Sequence, residues 1–454
     1  MKFRRILSVF LLSFLLCSQL VTPAAALERV EVNAKSALLV DTAGDVILYE
    51  KEAYKTMYPA SITKVMTALV VLDAVEAGTL RMDQMITASE SAFFDMEPDG
   101  STAGIKVGEA MSVKDLIYCM MMVSANEACN ILAEAVCGVG NIKTFVALMN
   151  EKAAQLGMNN THYINTSGLH HADHYTTAWD IYLLAKEALK SETLMTVCNT
   201  LAYDVPPTNM AGSRELHTTN SLISNWRILG YLYDGAEGIK TGTTEEAGNC
   251  LLSSAVRSGR RLVCVVLGCD GSGDVIESYS DSARLYDYGF YNFSMRTVLT
   301  EDELIKEVPV ALSKETNYVV VHPATSVQTI LPNDIDVSPT SKDLKRTVTL
   351  TADVAHAPIA TGDVLGEITI TYGDQVCGTV PLLAQYDVSA SKFLTAKYQL
   401  IQFLSKTIVQ VSIAVLAVLI LLFWIWWKFL RRKRRYGKSN GGRRHHRSYR
   451  GKRR

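Results

Sequence analysis

The 454-residue chain has no Cys-x-x-Cys pair, no internal repeat and no low-complexity tract other than a basic C-terminal tail. Its nine cysteines are scattered, which excludes a dense disulfide framework. The eight that follow the N-terminal leader (Cys119, Cys129, Cys137, Cys198, Cys250, Cys264, Cys269 and Cys377) are read mostly as small buried apolar residues, with no disulfide assigned. Charge is missing in two further places. Residues 407–427 carry none, and residues 428–454 hold no acid against 14 Lys and Arg. A stretch of 21 uncharged residues matches the roughly 20 needed to cross hydrocarbon, and Trp424, Trp426 and Trp427 stand where indole rings meet an interface. The positive-inside rule makes the tail cytoplasmic and everything before the span extracytoplasmic. Attraction to anionic lipid accounts for the tail's charge better than nucleic acid does.

Lys2, Arg4 and Arg5 precede an apolar run over residues 6–16 that is too short to span a bilayer, and Ala24-Ala25-Ala26 supplies small residues for cleavage. Residues 1–26 are therefore a signal peptide. Leu16 is too bulky for a lipoprotein reading of Cys17. Without leader and tail, 28 basic residues face 46 acidic ones, a net charge of −18 hidden beneath the overall −1. An acidic ectodomain of this kind excludes nucleic acid as a partner. At 48% hydrophobic residues the chain has ample material for two or three domains.

Chemistry concentrates first at Pro59-Ala60-Ser61-Ile62-Thr63-Lys64. A hydroxyl and an amine three residues apart on a helix share a face about one turn apart, close enough to exchange a proton. Ser61 and Lys64 are thus a candidate nucleophile and base. Ile62, Val65, Met66, Leu69, Val70, Leu72 and Val75 go most of the way round the helical wheel, which predicts a buried helix. A lysine there needs a partner or a task. The same spacing recurs at Ser389-Ala390-Ser391-Lys392 with no partners around it.

Residues 36–40 and 46–49 read as a hairpin around Asp41-Thr42-Ala43-Gly44-Asp45. Residues 81–111 show no long period and read as loop and short helix covering a cleft. Ser112 with Asp115 marks a helix start. The pattern breaks at Ser124-Ala125-Asn126-Glu127, so Ser124 and Asn126 either face a cleft or, for Ser124, cap the next helix, which runs to Cys137. A turn at Asn165-Thr166-Ser167-Gly168-Leu169 leads into His170, His171, Asp173 and His174. That spacing matches no metal-ligating helical pair, so the segment is read as a polar loop at the cleft rim and no metal or cofactor is assigned. From residue 236 the period becomes that of strands: Gly238-Ile239-Lys240-Thr241-Gly242-Thr243-Thr244, then 250–256 and 262–267, then a helix over 280–291. These predict an α+β domain with about five antiparallel strands and packed helices, in which Gly242 lets a substrate backbone approach closely. Short β-rich runs at 308–312, 318–321, 348–351 and 368–371 predict an all-β second domain with a spacing or docking role. The expected division is 27–298 catalytic, 299–388 β-rich, 389–406 a juxtamembrane helix, 407–427 transmembrane and 428–454 the tail.

Ser-x-x-Lys at 61–64, Ser-x-Asn at 124–126 and Lys-Thr-Gly at 240–242, in that order, resemble the signature of penicillin-recognising serine enzymes. The wording of 59–70, 121–134, 165–169 and 234–242 is similar to the low-molecular-weight D-alanyl-D-alanine carboxypeptidases, over residues 36 to about 390. The resemblance implies the penicillin-binding, β-lactamase-like transpeptidase fold, a following β-rich domain and a C-terminal anchor. It also implies peptidoglycan stem peptides as substrate and β-lactams as covalent inhibitors. Within it Ser61 attacks the D-Ala-D-Ala carbonyl, Lys64 takes the proton with its pKa lowered by burial and by Lys240, and Ser124 relays that proton to the leaving amine. Asn126 holds the substrate amide, Lys240 and Thr241 face the carboxylate, and the backbone N–H groups of Ser61 and Thr243 form an oxyanion hole. One departure stands out. The family's carboxylate-binding arginine past the strand after Lys-Thr-Gly has no counterpart, since residues 269–283 hold no Arg or Lys and Arg284 lies further along a helix. The competing readings are a wall-binding protein that has lost turnover and a β-lactamase; the latter would need a Glu-x-x-Leu-Asn loop, and none occurs.

Overall fold

The computed structural model describes residues 30–270 and 276–435. The signal peptide with Cys17, and the tail from residue 436 on, lie outside the described residues. The described residues divide into two compact units, those within 30–297 together with 328–343, and 298–327 together with 344–435.

In the first unit, β1 (Ser36–Asp41) and β2 (Val46–Lys51) form the expected hairpin. A 3-10 turn, Ala60–Ile62, leads into α1 (Thr63–Glu76). Ser61 therefore stands on the turn before the α-helix and not within it, and Lys64 on the helix's first turn. Residues three apart eclipse one another in 3-10 geometry, so the shared face is kept. α1 buries every residue from Thr63 to Val71, as an all-round apolar helix must.

Residues 81–111 are more regular than their sequence suggests, because β3 (Met85–Thr87) pairs antiparallel with β4 (Ala110–Ser112). Ser112 caps α2 (Val113–Met122) by accepting from Asp115 N, and α3 (Asn126–Cys137) follows after a three-residue break. Then come α4 (Ile142–Gln155), α5 (Ala178–Ala188), α6 (Glu192–Asn199) and the paired strands β5 (Ala202–Val205) and β6 (Arg214–His217). The chain ends the unit's sheet with β7 (Ala236–Thr244), β8 (Gly248–Arg257) and β9 (Arg260–Cys269), covered by α7 (Glu277–Asn292).

The five-stranded antiparallel sheet has the order β2-β1-β9-β8-β7. Strand alternation divides its side chains between two cores. Leu38, Val40, Leu252, Val263 and Val265 join the helical cluster that contains α1, while Ala37, Leu39, Leu251, Leu262 and Cys264 pack with Tyr279, Leu285 and Tyr286 of α7. A sheet buried on both faces explains the nearly continuous apolar runs of β8 and β9. It also leaves β7 as an edge, alongside the turn that carries Ser61.

The second unit is β-rich. β10 (Phe293–Leu299) and β13 (Val327–Pro332), which pair with each other, fall mostly in the first unit, and the second has a six-stranded sheet of order β14-β16-β17-β12-β11-β15 from β11 (Lys306–Ala311), β12 (Tyr318–Pro323), β14 (Leu344–Leu350), β15 (Ala355–His356), β16 (Val364–Tyr372) and β17 (Gln375–Ala384). Residues 328–343 belong to the first unit although they lie within the stretch read as the second domain. Asn333 N donates to Asn292 O and Arg296 to the carbonyl of Pro332, contacts between distant positions that no local pattern announces. α8 (Lys392–Ser405) starts at Ser391, whose hydroxyl accepts from Leu394 N, so Ser391-Lys392 is a helix cap. The chain breaks at Lys406, and α9 (Thr407–Arg435) contains the one described helix long and apolar enough to cross a membrane, Thr407–Arg431. At 1.5 Å per residue its 25 residues reach about 37 Å, more than the ~30 Å of hydrocarbon.

Candidate active site

The site is built where the turn before α1, the break between α2 and α3, the 165–169 turn and edge strand β7 meet. Ala60 has φ +47° and Ser124 φ +61°, left-handed values that cost a non-glycine residue on the order of 1 kcal/mol or more. Close approach replaces bulk on the other two sides. A Cβ on Gly168, itself at φ +88°, would lie 1.9 Å from Ala60 O, and a Cβ on Gly242 would lie 3.0 Å from Ser61 N. Only glycine fits at 168, and at 242 an added methyl forces a neighbour to give by a few tenths of an ångström.

Lys64 is completely buried, and its Nζ lies 2.9 Å from Ser61 Oγ, 2.8 Å from Asn126 Oδ1 and 2.7 Å from Ser167 O. Burial holds its pKa below the ordinary lysine value, against the upward pull of Cys129 and Glu127. An ammonium has three donors for these three partners; a neutral amine has two donors and a lone pair. Asn126 Oδ1 and Ser167 O can only accept. Of the three neighbours only the Ser61 hydroxyl has a proton to give, so the neutral amine must turn its lone pair to Ser61.

Ser124 does not cap α3: the cap position is Ala125, with no side-chain cap bond. Its Oγ is buried and has no hydrogen-bond partner among the described residues. Asn126 N donates to Ser101 O, and Glu127 accepts from Thr102 Oγ1 and Ala103 N, which ties the 101–103 segment to the start of α3. Lys240 is also buried, with Nζ donating to Thr241 O. Burial first, and then the positive charge of Lys64, push its pKa down to about 7. The sequence reading had Lys240 depressing Lys64; the repulsion instead falls on Lys240, and burial dominates at both amines. Thr241 Oγ1 pairs with Thr219 Oγ1 at 2.8 Å, and Thr243 donates to Asn249 Oδ1 at 2.9 Å.

Two hollows open on Ser61. One, of about 230 Å³, has Ser124, Thr219, Arg227, Thr241 and Thr243 in its lining; the other, of about 400 Å³, has Asn126, His170 and the four acids Glu97, Asp99, Glu245 and Glu246. The histidine loop is only partly at the rim. His170 lines the second hollow and packs edge-on to Tyr58, but His174 is buried, its Nε2 2.9 Å from Thr63 Oγ1, and burial drives its pKa down to about 3. Burial likewise raises Cys129 to about 11 and Cys119 to about 12, which keeps these thiols protonated. All eight described cysteines are free, and among the described residues no His, Cys, Asp or Glu cluster is arranged for a metal ion.

The structure thus brings Ser61, Lys64, Ser124, Asn126, Lys240, Thr241, Gly242 and Thr243 into one site. Sequence reasoning missed Ser167, which acts through a backbone carbonyl, and Thr219 and Arg227, whose loop has no motif. A serine paired to a buried lysine beside the edge of an antiparallel sheet defines the class as serine hydrolases that use lysine where others use histidine.

A family model described as D-alanyl-D-alanine carboxypeptidase matches residues 21–271, and one described as penicillin-binding protein 5, C-terminal domain, matches residues 293–390. The chain belongs to the D-alanyl-D-alanine carboxypeptidase family. It is 30% identical over 380 residues to the carboxypeptidase DacC of Escherichia coli (82% of this chain, 89% of that protein). It is 29% identical over 363 residues to DacF of Bacillus subtilis (80% and 88%). The crystal structure of DacD from Francisella tularensis superposes with a TM-score of 0.63 at 27% identity, covering 81% of this chain and 96% of that one.

Proposed function

We propose that the protein removes the terminal D-Ala from peptidoglycan stem pentapeptides through an acyl-enzyme on Ser61, and that β-lactams acylate the same hydroxyl. The observation that carries the reading is the 2.9 Å contact between Ser61 Oγ and the buried Lys64 amine in a chain of this family. Neutral Lys64 takes the Ser61 proton as Oγ attacks the D-Ala-D-Ala carbonyl. The oxyanion is held by the N–H groups of Ser61 and Thr243, worth about 3 to 4 kcal/mol per donor. The proton passes by way of Ser124 to the leaving nitrogen, the peptide C–N bond breaks, and water then hydrolyses the Ser61 ester. Asn126 orients the substrate amide, and Lys240 and Thr241 face the carboxylate.

The catalytic part is exported by residues 1–26 and anchored by 407–427, with the basic tail in the cytoplasm; residues 299–388 have a spacing or docking role. Protease added to intact cells is expected to reach the ectodomain and spare the tail. Release of free D-Ala from a stem pentapeptide tests the reaction. The absence of Arg and Lys from 269–283 favours a second reading, a wall-binding protein without turnover, which predicts penicillin labelling and no D-Ala release.

A further inference from the structure

We infer that Arg227 is the group that holds the substrate's terminal carboxylate, supplied from the loop before β7 in place of the arginine missing after it. The inference rests on the carboxypeptidase reading and assigns a specificity residue within it.

The two hollows that open on Ser61 have opposite polarity. Four carboxylates line the larger one. The smaller has no Asp or Glu among its described lining residues, and Arg227 is its one described cation. A substrate chain that passes over Ser61 with an anionic end is therefore driven into the smaller hollow, toward Arg227. That end is the leaving D-Ala, because the bond attacked by Ser61 lies one residue from the C-terminus.

Lys240 cannot carry this task by itself. It is buried, its Nζ is engaged by Thr241 O, and with a pKa near 7 it is only half charged at neutral pH. A guanidinium stays charged throughout and matches a carboxylate with two parallel donors. Arg227 is exposed and, among the described residues, has no ion pair or hydrogen bond that would divert it. Its charge reaches both Lys240 and Tyr279. The loop is also held in place. The ring of Trp226 stacks on His217 at 3.7 Å and 13°, Trp226 N donates to Ser224 Oγ, and Ile228 lines the same hollow. In the same lining, Tyr279 OH donates to Thr219 O, and Thr219 pairs with Thr241. The carboxylate would thus lie between Arg227 and the Thr241 hydroxyl.

The test compares acid with neutral ligands in wild type, Arg227→Ala and Arg227→Lys, all checked for equal melting temperature. The first pair is an acylated Lys-D-Ala-D-Ala peptide and its C-terminal carboxamide; the second is benzylpenicillin and its methyl ester, read as the rate of acylation. Wild type should prefer each acid. Arg227→Ala should lose about tenfold or more in kcat/KM for the acid peptide, mostly in KM, and be unchanged for the amide, with part of the loss restored in Arg227→Lys. The acylation rates should move in parallel. A wild type acylated by penicillin, together with an Arg227→Ala variant that keeps the acid preference, overturns the assignment of Arg227 alone. A wild type that takes up no penicillin defeats the function itself and this inference with it. If penicillin acylates but no D-Ala is released, the penicillin pair still decides.

Discussion

Gly242→Ala places a single methyl between the edge strand and the turn that carries Ser61. Built on the observed backbone, that Cβ lies 3.0 Å from Ser61 N, 3.1 Å from Ala60 Cβ and 3.1 Å from Pro59 O. Each contact falls short of ordinary van der Waals separation by a few tenths of an ångström. Neither side yields freely. β7 is held to β8 by the ladder in which Gly242 faces Cys250 and Thr241 faces Leu251, and the Ser61 turn is pinned from the other side by Gly168 against Ala60. Overpacking of this kind costs about 1 to 3 kcal/mol, or a melting temperature lower by roughly 2 to 10 °C for a unit of this size. The larger effect falls on catalysis, since the crowded atom, Ser61 N, is one of the two proposed oxyanion donors. Displacing it by a few tenths of an ångström forfeits part of what complete loss of a donor costs, on the order of 100-fold to 1000-fold. The expected drop in acylation rate is thus about 10-fold to 100-fold. Time-resolved labelling with fluorescent penicillin reads the rate and a thermal melt reads the stability. Gly212→Ala, where a Cβ meets nothing within 4 Å, is the matched control and should behave as wild type. A Gly242→Ala protein with the wild-type labelling rate and melting temperature would refute the claim that β7 and the Ser61 turn are in contact at this point.

Two further predictions use the same assays. Ser124 has an unpartnered buried hydroxyl on a left-handed backbone, so Ser124→Gly removes both costs; its melting temperature should equal or exceed that of wild type while acylation falls at least about 10-fold to 100-fold. Unchanged acylation would remove Ser124 from the proton path. Lys240 loses its charge above about pH 7 in the free enzyme, and a bound carboxylate favours the charged form and raises its pKa. Hence kcat/KM should fall through the neutral range as pH rises, whereas the alkaline limb of kcat should move to higher pH; coincident limbs would show that Lys240 does not face the anion.

What could be read beforehand was whatever leaves a periodic or short-range trace. The all-round apolar run of α1, the Ser112 cap, the β1–β2 hairpin and the strands β7 to β9 follow from spacing alone; of the three motifs one spans the turn into α1, one the break after α2 and one lies on β7. Residues 141–235 gave much less. α4 buries only Phe145, Met149 and Ala153, too sparse a stripe for its period to stand out, and β5 and β6 are four residues each. Pairing of β13 with β10 is a long-range choice that β-rich composition does not encode. Within the site the same division holds. Ser167 contributes a backbone carbonyl, which any residue type could supply. Arg227 is an exposed loop residue in sequence terms, and only folding brings it into the same hollow as Thr241. The family's arginine follows Lys-Thr-Gly in sequence, whereas Arg227 precedes it.

In the proposed reaction the Ser61 hydroxyl, activated by the neutral Lys64 amine, is the acylated atom. Intact-mass and peptide-mapping mass spectrometry after brief exposure to benzylpenicillin tests it most directly. One penicilloyl adduct is expected, on the peptide containing Ser61; it should be absent from Ser61→Ala and form far more slowly in Lys64→Ala. No adduct on the wild-type protein, or an adduct on another serine such as Ser124 or Ser389, would contradict the account.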